Sequence, residues 1–312
     1  MIKPIRHRAL PGLHLAFSAG LALVLVACTA GAGDLGTLPP PLGSATPTTG
    51  SSGIEASATP GVPEGSGSGS EAVRVYFELG SFTGNGGLVP VLRMASRPMG
   101  LENGVIEALL AGPSAAEMYA RPAIFTAIPD GTSLLAAVFE APLETVNLSK
   151  EFTSGGVSAT IVQRYAQVVF TLSQWDATTR FRFQIDGVDA PAVISSGPVD
   201  RAVTRADYLD QLPAIWVELP FWGGSLRSGA RVMGMANVFE AQFRLQVIDA
   251  AGHTLTDIPV TATCGTGCWG DFTARPTYEV AGAQWGTLRV FDPSAKDGSP
   301  TNVVDYPVWL TP

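Results

Sequence analysis

The chain has 312 residues, 46% of them apolar and 15% charged, with 19 basic against 27 acidic side chains. The formal net charge of −8 speaks against direct binding of nucleic acid or of an anionic membrane surface. Of three histidines, His7 and His14 lie within the first 27 residues, so the remainder of the chain keeps His253 alone. A Ser-His-Asp or Cys-His site would have to use that residue, and a histidine-rich metal site is excluded.

Residues 1–27 carry Lys3, Arg6 and Arg8, no acid, and an apolar run from Leu15 to Ala27. A charged start, a short apolar middle and a small-residue end describe an export signal; the run is shorter than the ~20 residues of a spanning helix. Its last four residues, Leu25-Val26-Ala27-Cys28, are similar to the bacterial lipobox. In proteins with that motif the cysteine is acylated on sulfur and the peptide is cut before it. The resemblance implies that Cys28 is a lipid anchor outside the cell, two acyl chains holding where one would not. Losing residues 1–27 leaves 16 basic against 27 acidic residues, a net charge near −11.

From Thr29 to Ser70 the chain is dominated by Gly, Ser, Thr, Pro and Ala, with no Lys, Arg or aromatic residue. It cannot bury enough apolar area to offset its ordering entropy, so residues 28–70 read as a lipidated cysteine and a disordered tether. As a flexible coil the tether spans roughly 35 Å root-mean-square.

Residues 71–190 read as a first domain. Val73, Val75, Phe77 and Leu79 alternate with Arg74, Tyr76 and Glu78, the period of a half-buried strand, and "LVPVLRMA" is its hairpin partner, with Pro90 favouring an edge. Leu101, Val105, Ile106, Leu109 and Leu110 share one face of a helix that Gly112-Pro113 ends, and Ser114 with Glu117 has capping-box spacing. Strands and turns continue to Phe152. Ile161, Tyr165, Val168 and Leu172 then form the stripe of a long helix, widened by Val162 and Val169, before a strand with Phe181, Phe183 and Ile185 on one side. The order predicts an α+β domain with helices packed on one sheet. "ALLAGP", "AIPDGT", "VNLSKEF", "VVFTLSQ" and "FRFQIDG", in this order behind a lipoprotein opening, resemble the GerMN domain of bacterial sporulation and germination proteins. The resemblance implies an extracytoplasmic, non-catalytic assembly domain akin to ring-building folds of the sporulation envelope. Gly112, Pro113, Asp130, Gly131, Asp186 and Gly187 are what turns require and specify fold.

Residues 191–210 have poor periodicity and read as a connector in which Thr204 and Asp207 could cap a short helix. Residues 211–312 read as all β, with about seven segments separated by turn residues such as Gly223-Gly224 and Asp297-Gly298. That pattern predicts an immunoglobulin-like sandwich. In the third segment Phe239, Ala241, Phe243, Leu245 and Val247 alternate with polar residues. The elements Gly234, Ala236, Phe239, Glu240 and Ser294, Lys296, Asp297, Gly298, Ser299 resemble the immunoglobulin-like domain that accompanies GerMN, although "FWGGSLRSG" is aromatic where that family is proline- and glycine-rich. Cys264 and Cys268 suit a short disulfide-closed loop, worth roughly 2 kcal/mol at most by loop entropy; their spacing fits neither a metal site nor a C-x-x-C redox motif. His253 comes directly after a glycine and reads as a solvated turn residue. Trp222 and Trp269, in Gly-rich loops, are the candidate ligand or partner contacts.

The function expected is therefore a surface lipoprotein that docks other envelope proteins or copies of itself, with no cofactor, no metal and no nucleic-acid partner. The alternative is a cell-wall glycan binder using Trp222 and Trp269. A carboxylate-pair glycosidase needs no histidine, but no pair stands out as its site, and no enzyme is expected.

Overall fold

The computed structural model describes residues 69–80, 86–96 and 100–312. The signal segment, Cys28 and the tether up to residue 68 lie outside the described residues.

The first domain opens with β1 (Ser70–Leu79) and β2 (Gly87–Ser96), antiparallel and in continuous register from Ser70 opposite Ser96 to Leu79 opposite Gly87. Helix α1 (Leu101–Leu110) buries Val105, Ile106 and Leu109, and Gly112, at φ +72°, takes the left-handed turn after it. Helix α2 (Ala115–Tyr119) starts with the expected capping box, Ser114 Oγ accepting from the Glu117 N–H and the Glu117 carboxylate from the Ser114 N–H. Then come β3 (Ile124–Phe125), β4 (Leu134–Glu140), β5 (Leu143–Leu148), α3 (Ser158–Leu172), β6 (Arg180–Ile185) and β7 (Val188–Ala190).

These strands form two sheets, β2-β1-β3 and β4-β5-β6-β7, where the sequence pattern predicts one. The reason lies in α3, which connects the parallel pair β5 and β6 and is buried almost all round. Its apolar side packs on the second sheet, with Tyr165 edge-on to Phe183 at 4.7 Å and to Phe152 at 5.0 Å. Its polar side lies along the backbone of β1. Gln167 Nε2 donates to the Tyr76 carbonyl (2.9 Å) and its Oε1 accepts from the Ala127 N–H (2.8 Å). Thr171 Oγ1 accepts from the Tyr76 N–H (3.1 Å), and Gln174, just past the helix, bonds both the N–H and the C=O of Arg74 (2.8 and 3.1 Å). Residues at helical spacing thus satisfy the groups that a further strand would otherwise have paired. Tyr76, on the polar side of the strand pattern, is consequently fully buried.

The stretch read as a connector is structured. It holds the hairpin β8 (Ala192–Ile194) and β9 (Gly197–Val199), an antiparallel bridge from Val203 to Phe181, and a 3-10 turn over Arg205–Gln211. The Asp207 carboxylate accepts from the Thr204 N–H at the start of that turn (2.8 Å). Tyr208 is buried among core residues.

The second domain has β10 (Ile215–Leu219), β11 (Ser225–Arg227), β12 (Val232–Ala236), β13 (Gln242–Ile248), β14 (Thr254–Thr261), β15 (Gly270–Ala274), β16 (Gln284–Pro293) and β17 (Pro300–Thr311). They make an all-β arrangement of two sheets, β10-β12-β15 and β11-β17-β16-β13-β14. The extra strand, β11, lies inside "FWGGSLRSG" and pairs parallel with β17; three residues between glycines give no periodicity to read. The third segment begins later than its alternation predicts. Glu240 and Ala241 have φ of 53° and 58°, which breaks the extended run, so Phe243, Leu245 and Val247 face the core while Phe239 is exposed.

Replacing Gln167 by Leu keeps the bulk of α3 but leaves the Tyr76 C=O and the Ala127 N–H without partners. Urea unfolding is expected to show a loss of roughly 1–3 kcal/mol for each buried group so stranded.

Candidate docking surface and the domain junction

The two domains share one apolar core. At the junction the Arg205 guanidinium lies over the rings of Phe170 (4.5 Å), Tyr76 (5.5 Å) and Trp216 (5.8 Å), contributed by α3, β1 and β10. Its Nη2 donates to the Tyr76 hydroxyl (3.0 Å). Glu218 of β10 supplies the counter-charge, with Oε1 2.6 Å from Arg74 Nη1 and 3.9 Å from Arg205 Nη1. Burial pushes the Tyr76 hydroxyl up from its ordinary pKa, which keeps it neutral and able to donate to Glu218 (3.4 Å). These residues are far apart in sequence, and pattern reading finds none of them as a group.

Trp222 belongs to this junction and not to an exposed loop. It is 3% exposed, its backbone N–H donates to the Pro90 carbonyl (3.0 Å), and it forms a parallel bridge with Val91, so the second domain closes the edge of β2. This corrects its expected role as a ligand or partner contact: a residue in a glycine-rich loop is buried because another domain covers the loop. Trp269 is half-buried and packs against the core. The structure places it and Trp222 in separate settings, one beside the disulfide loop and one at the domain junction.

Cys264 and Cys268 are joined by a disulfide, with Cα atoms 5.8 Å apart. The closed loop leans on the Val238–Ala241 bend: Thr266 N–H donates to the Val238 carbonyl (2.9 Å), and Thr266 Oγ1 accepts from the Glu240 N–H (3.0 Å). A Cβ on Gly265 would lie 2.4 Å from the Ala241 nitrogen, so only glycine admits this approach. His253 is exposed in the β13–β14 turn, its Nδ1 3.2 Å from Asp249 Oδ2. Among the described residues no group of three or more His, Cys, Asp or Glu side chains is gathered as a metal site, and no helix is long and apolar enough to cross a membrane.

The exposed large apolar side chains belong overwhelmingly to the first domain, with Phe239 the exception among those described. Met118, Tyr119 and Phe125 expose themselves on α2 and β3; Leu135, Val138 and Phe139 do so on β4, at 51%, 50% and 53%. Among the described residues β4 has β5 as its one strand neighbour, with a register shift between Leu134 and Ala136, and Leu134–Glu140 contains no Lys, Arg or Pro. The edge strand β14 is built otherwise, with Pro259 and with Asp257 held by Arg244 (2.8 Å). Proline and charge on an edge discourage strand addition; β14 has both and β4 has a terminal Glu140 alone. Beneath β4, facing Phe139 across the ladder, Glu144 is buried and its carboxyl is pushed up to about 7 by desolvation and then by the nearby Glu102.

An α+β module joined through a shared core to an immunoglobulin-like sandwich is the class that this fold defines. Residues 74–190 match the Germane model, described as sporulation and spore germination, and residues 214–299 match the Gmad2 model, described as the immunoglobulin-like domain of bacterial spore germination. The chain thus carries one domain matching each of these two domain families. Neither description names a reaction. Comparison with curated proteins gives no match. Among solved structures, a chain from Clostridium perfringens designated a lipoprotein is 17% identical over 45% of this chain and 90% of that one, with a TM-score of 0.31. The first GerMN domain of the sporulation protein GerM from Bacillus subtilis is 13% identical over 44% and 98%, and the tandem GerMN domains of that protein 14% over 67% and 61%, each with a TM-score of 0.34. Similarity at this level transfers nothing further to this chain.

Trp216→Ala is expected to cost about 3–5 kcal/mol. Because the ring serves both domains, calorimetry should show one unfolding transition for the native chain and two for the variant. Glu144 gives a pH signature. Its folded carboxyl titrates near 7 against an ordinary 4.5, so the folded chain holds the extra proton between those values. The stability it contributes is complete below about 4.5 and is lost as pH rises through about 7. Glu144→Gln should therefore raise the melting temperature at pH 8 and leave it unchanged near pH 4, as read by thermal scans.

Proposed function

We propose that this chain is a lipid-anchored, non-catalytic docking protein of the bacterial envelope, working in assemblies of the sporulation or germination type. The observation that carries the reading is the unequal surface: the first domain exposes apolar side chains on β4, α2 and β3, while the second keeps nearly all of its own inside. A single shared core makes the second domain a base from which the first is presented in a fixed orientation. The lipobox-like sequence at Cys28 and the polar segment after it support a tethered position outside the cell. Two domain families described by sporulation and germination, with no reaction in either description, support an assembly role over catalysis. The glycan-binding alternative loses Trp222 to the junction and would rest on Trp269.

Cells fed an alkyne fatty acid should label the native chain and leave Cys28→Ala unlabelled and released from the membrane fraction. Mild crosslinking of the native chain should recover envelope proteins or its own copies. An unlabelled, freely soluble native chain that recovers neither would sink the proposal.

A further inference from the structure

We infer that Cys264 and Cys268 form a thiol-controlled latch on the immunoglobulin-like domain. Closed, it holds the bend at residues 238–241 that turns Phe239 outward; reduction by a dithiol releases that bend into extended chain. The latch is independent of the docking reading.

Backbone strain is concentrated at this contact. Five non-glycine residues among those described have left-handed φ, and three of them meet here: Glu240 (53°) and Ala241 (58°) in the bend, and Thr266 (56°) in the disulfide loop. The other two, Asp186 and Asn302, are of the types that tolerate this region; a glutamate, an alanine and above all a β-branched threonine do not. Such strain persists only where the surroundings impose it. Here the disulfide loop does so. Thr266 N–H donates to the Val238 carbonyl (2.9 Å), Thr266 Oγ1 accepts from the Glu240 N–H (3.0 Å), and Gly267 N–H donates to Asn237 Oδ1 (2.9 Å). Each of these bonds ties the bend to a residue that lies between the two cysteines.

Opening the bond removes the closure that positions those groups. The cysteines are only 4 residues apart, so joining them takes little entropy from the open chain, and strain in the closed form counts against the bond. Thr266 and Gly267 are exposed and both cysteines are half-buried, so a thiolate can approach from solvent. That thiolate, from a dithiol, attacks one sulfur, and the other leaves and takes a proton. The second thiol of the reductant then displaces the first cysteine. Two electrons and two protons thus pass to Cys264 and Cys268, and the dithiol becomes a disulfide. The spacing of the pair is not that of a dithiol catalyst, which makes it the substrate of one. Once free, Glu240 and Ala241 relax to extended φ, and alternation carried back from Phe243 puts Phe239 on the core side of β13. A ring that is 59% exposed in the closed form is thereby withdrawn.

The test is reduction of the full chain, purified in detergent, with dithiothreitol; alkylation counts the thiols and hydrogen exchange reads the backbone. On reduction the amides of residues 238–241 and of Thr266 should exchange about tenfold faster or more, while Phe243, Leu245 and Val247 in β13 keep their protection. Cys264→Ser combined with Cys268→Ser should show the same pattern with no reductant present. Glu240→Gly and Ala241→Gly relieve the left-handed backbone of the closed form alone. Each should therefore raise the ratio of reduced to oxidised dithiothreitol needed for half-reduction by roughly tenfold. A bend that keeps its protection after reduction, a bond that dithiothreitol does not open, or glycine variants that reduce at the native ratio would each overturn the latch. Loss of protection throughout β13 would overturn it too, making the bond a general brace of the sandwich.

Discussion

The structure turns on one guanidinium. Arg205 lies in the segment between the matched domains and is held over three rings that belong to both, with Glu218 and the Tyr76 hydroxyl taking up its charge and one of its donors. An arginine stays charged at any physiological pH, so withdrawing it from water is tolerable only where counter-charge and ring faces are already in place. Meeting that condition fixes Trp216 and Glu218 of β10 against Tyr76 of β1 and Phe170 of α3. It also brings Trp222 onto the edge of β2. Two modules that would otherwise be beads on a string become one body.

The same demand for partners explains α3. Its stripe of Tyr165, Val168 and Leu172 does what an amphipathic helix does, yet the opposite side is equally buried, because Gln167 and Thr171 close the open ladder of β1. A helix in that place stops the first sheet from growing and separates it from the second. Arg164 is buried on the same logic: its guanidinium donates to the carbonyls of Ala127 (3.0 Å), Phe152 (2.8 Å) and Gly155 (3.1 Å), of which that of buried Phe152 would otherwise lie unpaired in the interior. Polar side chains here take the place of a strand and of water.

An open apolar edge has the opposite character. Exposed apolar area is costly to keep in a monomer and selects for something that covers it. The first domain carries that area on β4, α2 and β3, and its attachment to the sandwich presents it steadily. The disulfide-closed loop serves the sandwich locally, bracing the bend that turns Phe239 outward.

Much of this was written in local pattern. Period-2 alternation located β1, β13 and β6, period 3.6 located α1 and α3, and turn chemistry at Gly112-Pro113 and Ser114-x-x-Glu117 marked the end of α1 and the start of α2, because each of these depends on neighbours within a few residues. Tertiary structure decided what such neighbours do not reach. Tyr76 reads as a solvent-side residue and is core, since α3 and β10 cover it; Trp222 reads as a loop contact and is core, since β2 lies beneath it. Whether an edge is open, and whether a polar face meets water or an unpaired backbone, depends on which distant segment arrives there. Sequence alone set the elements and the family likeness of the two domains, and long-range packing chose which of their surfaces remain available.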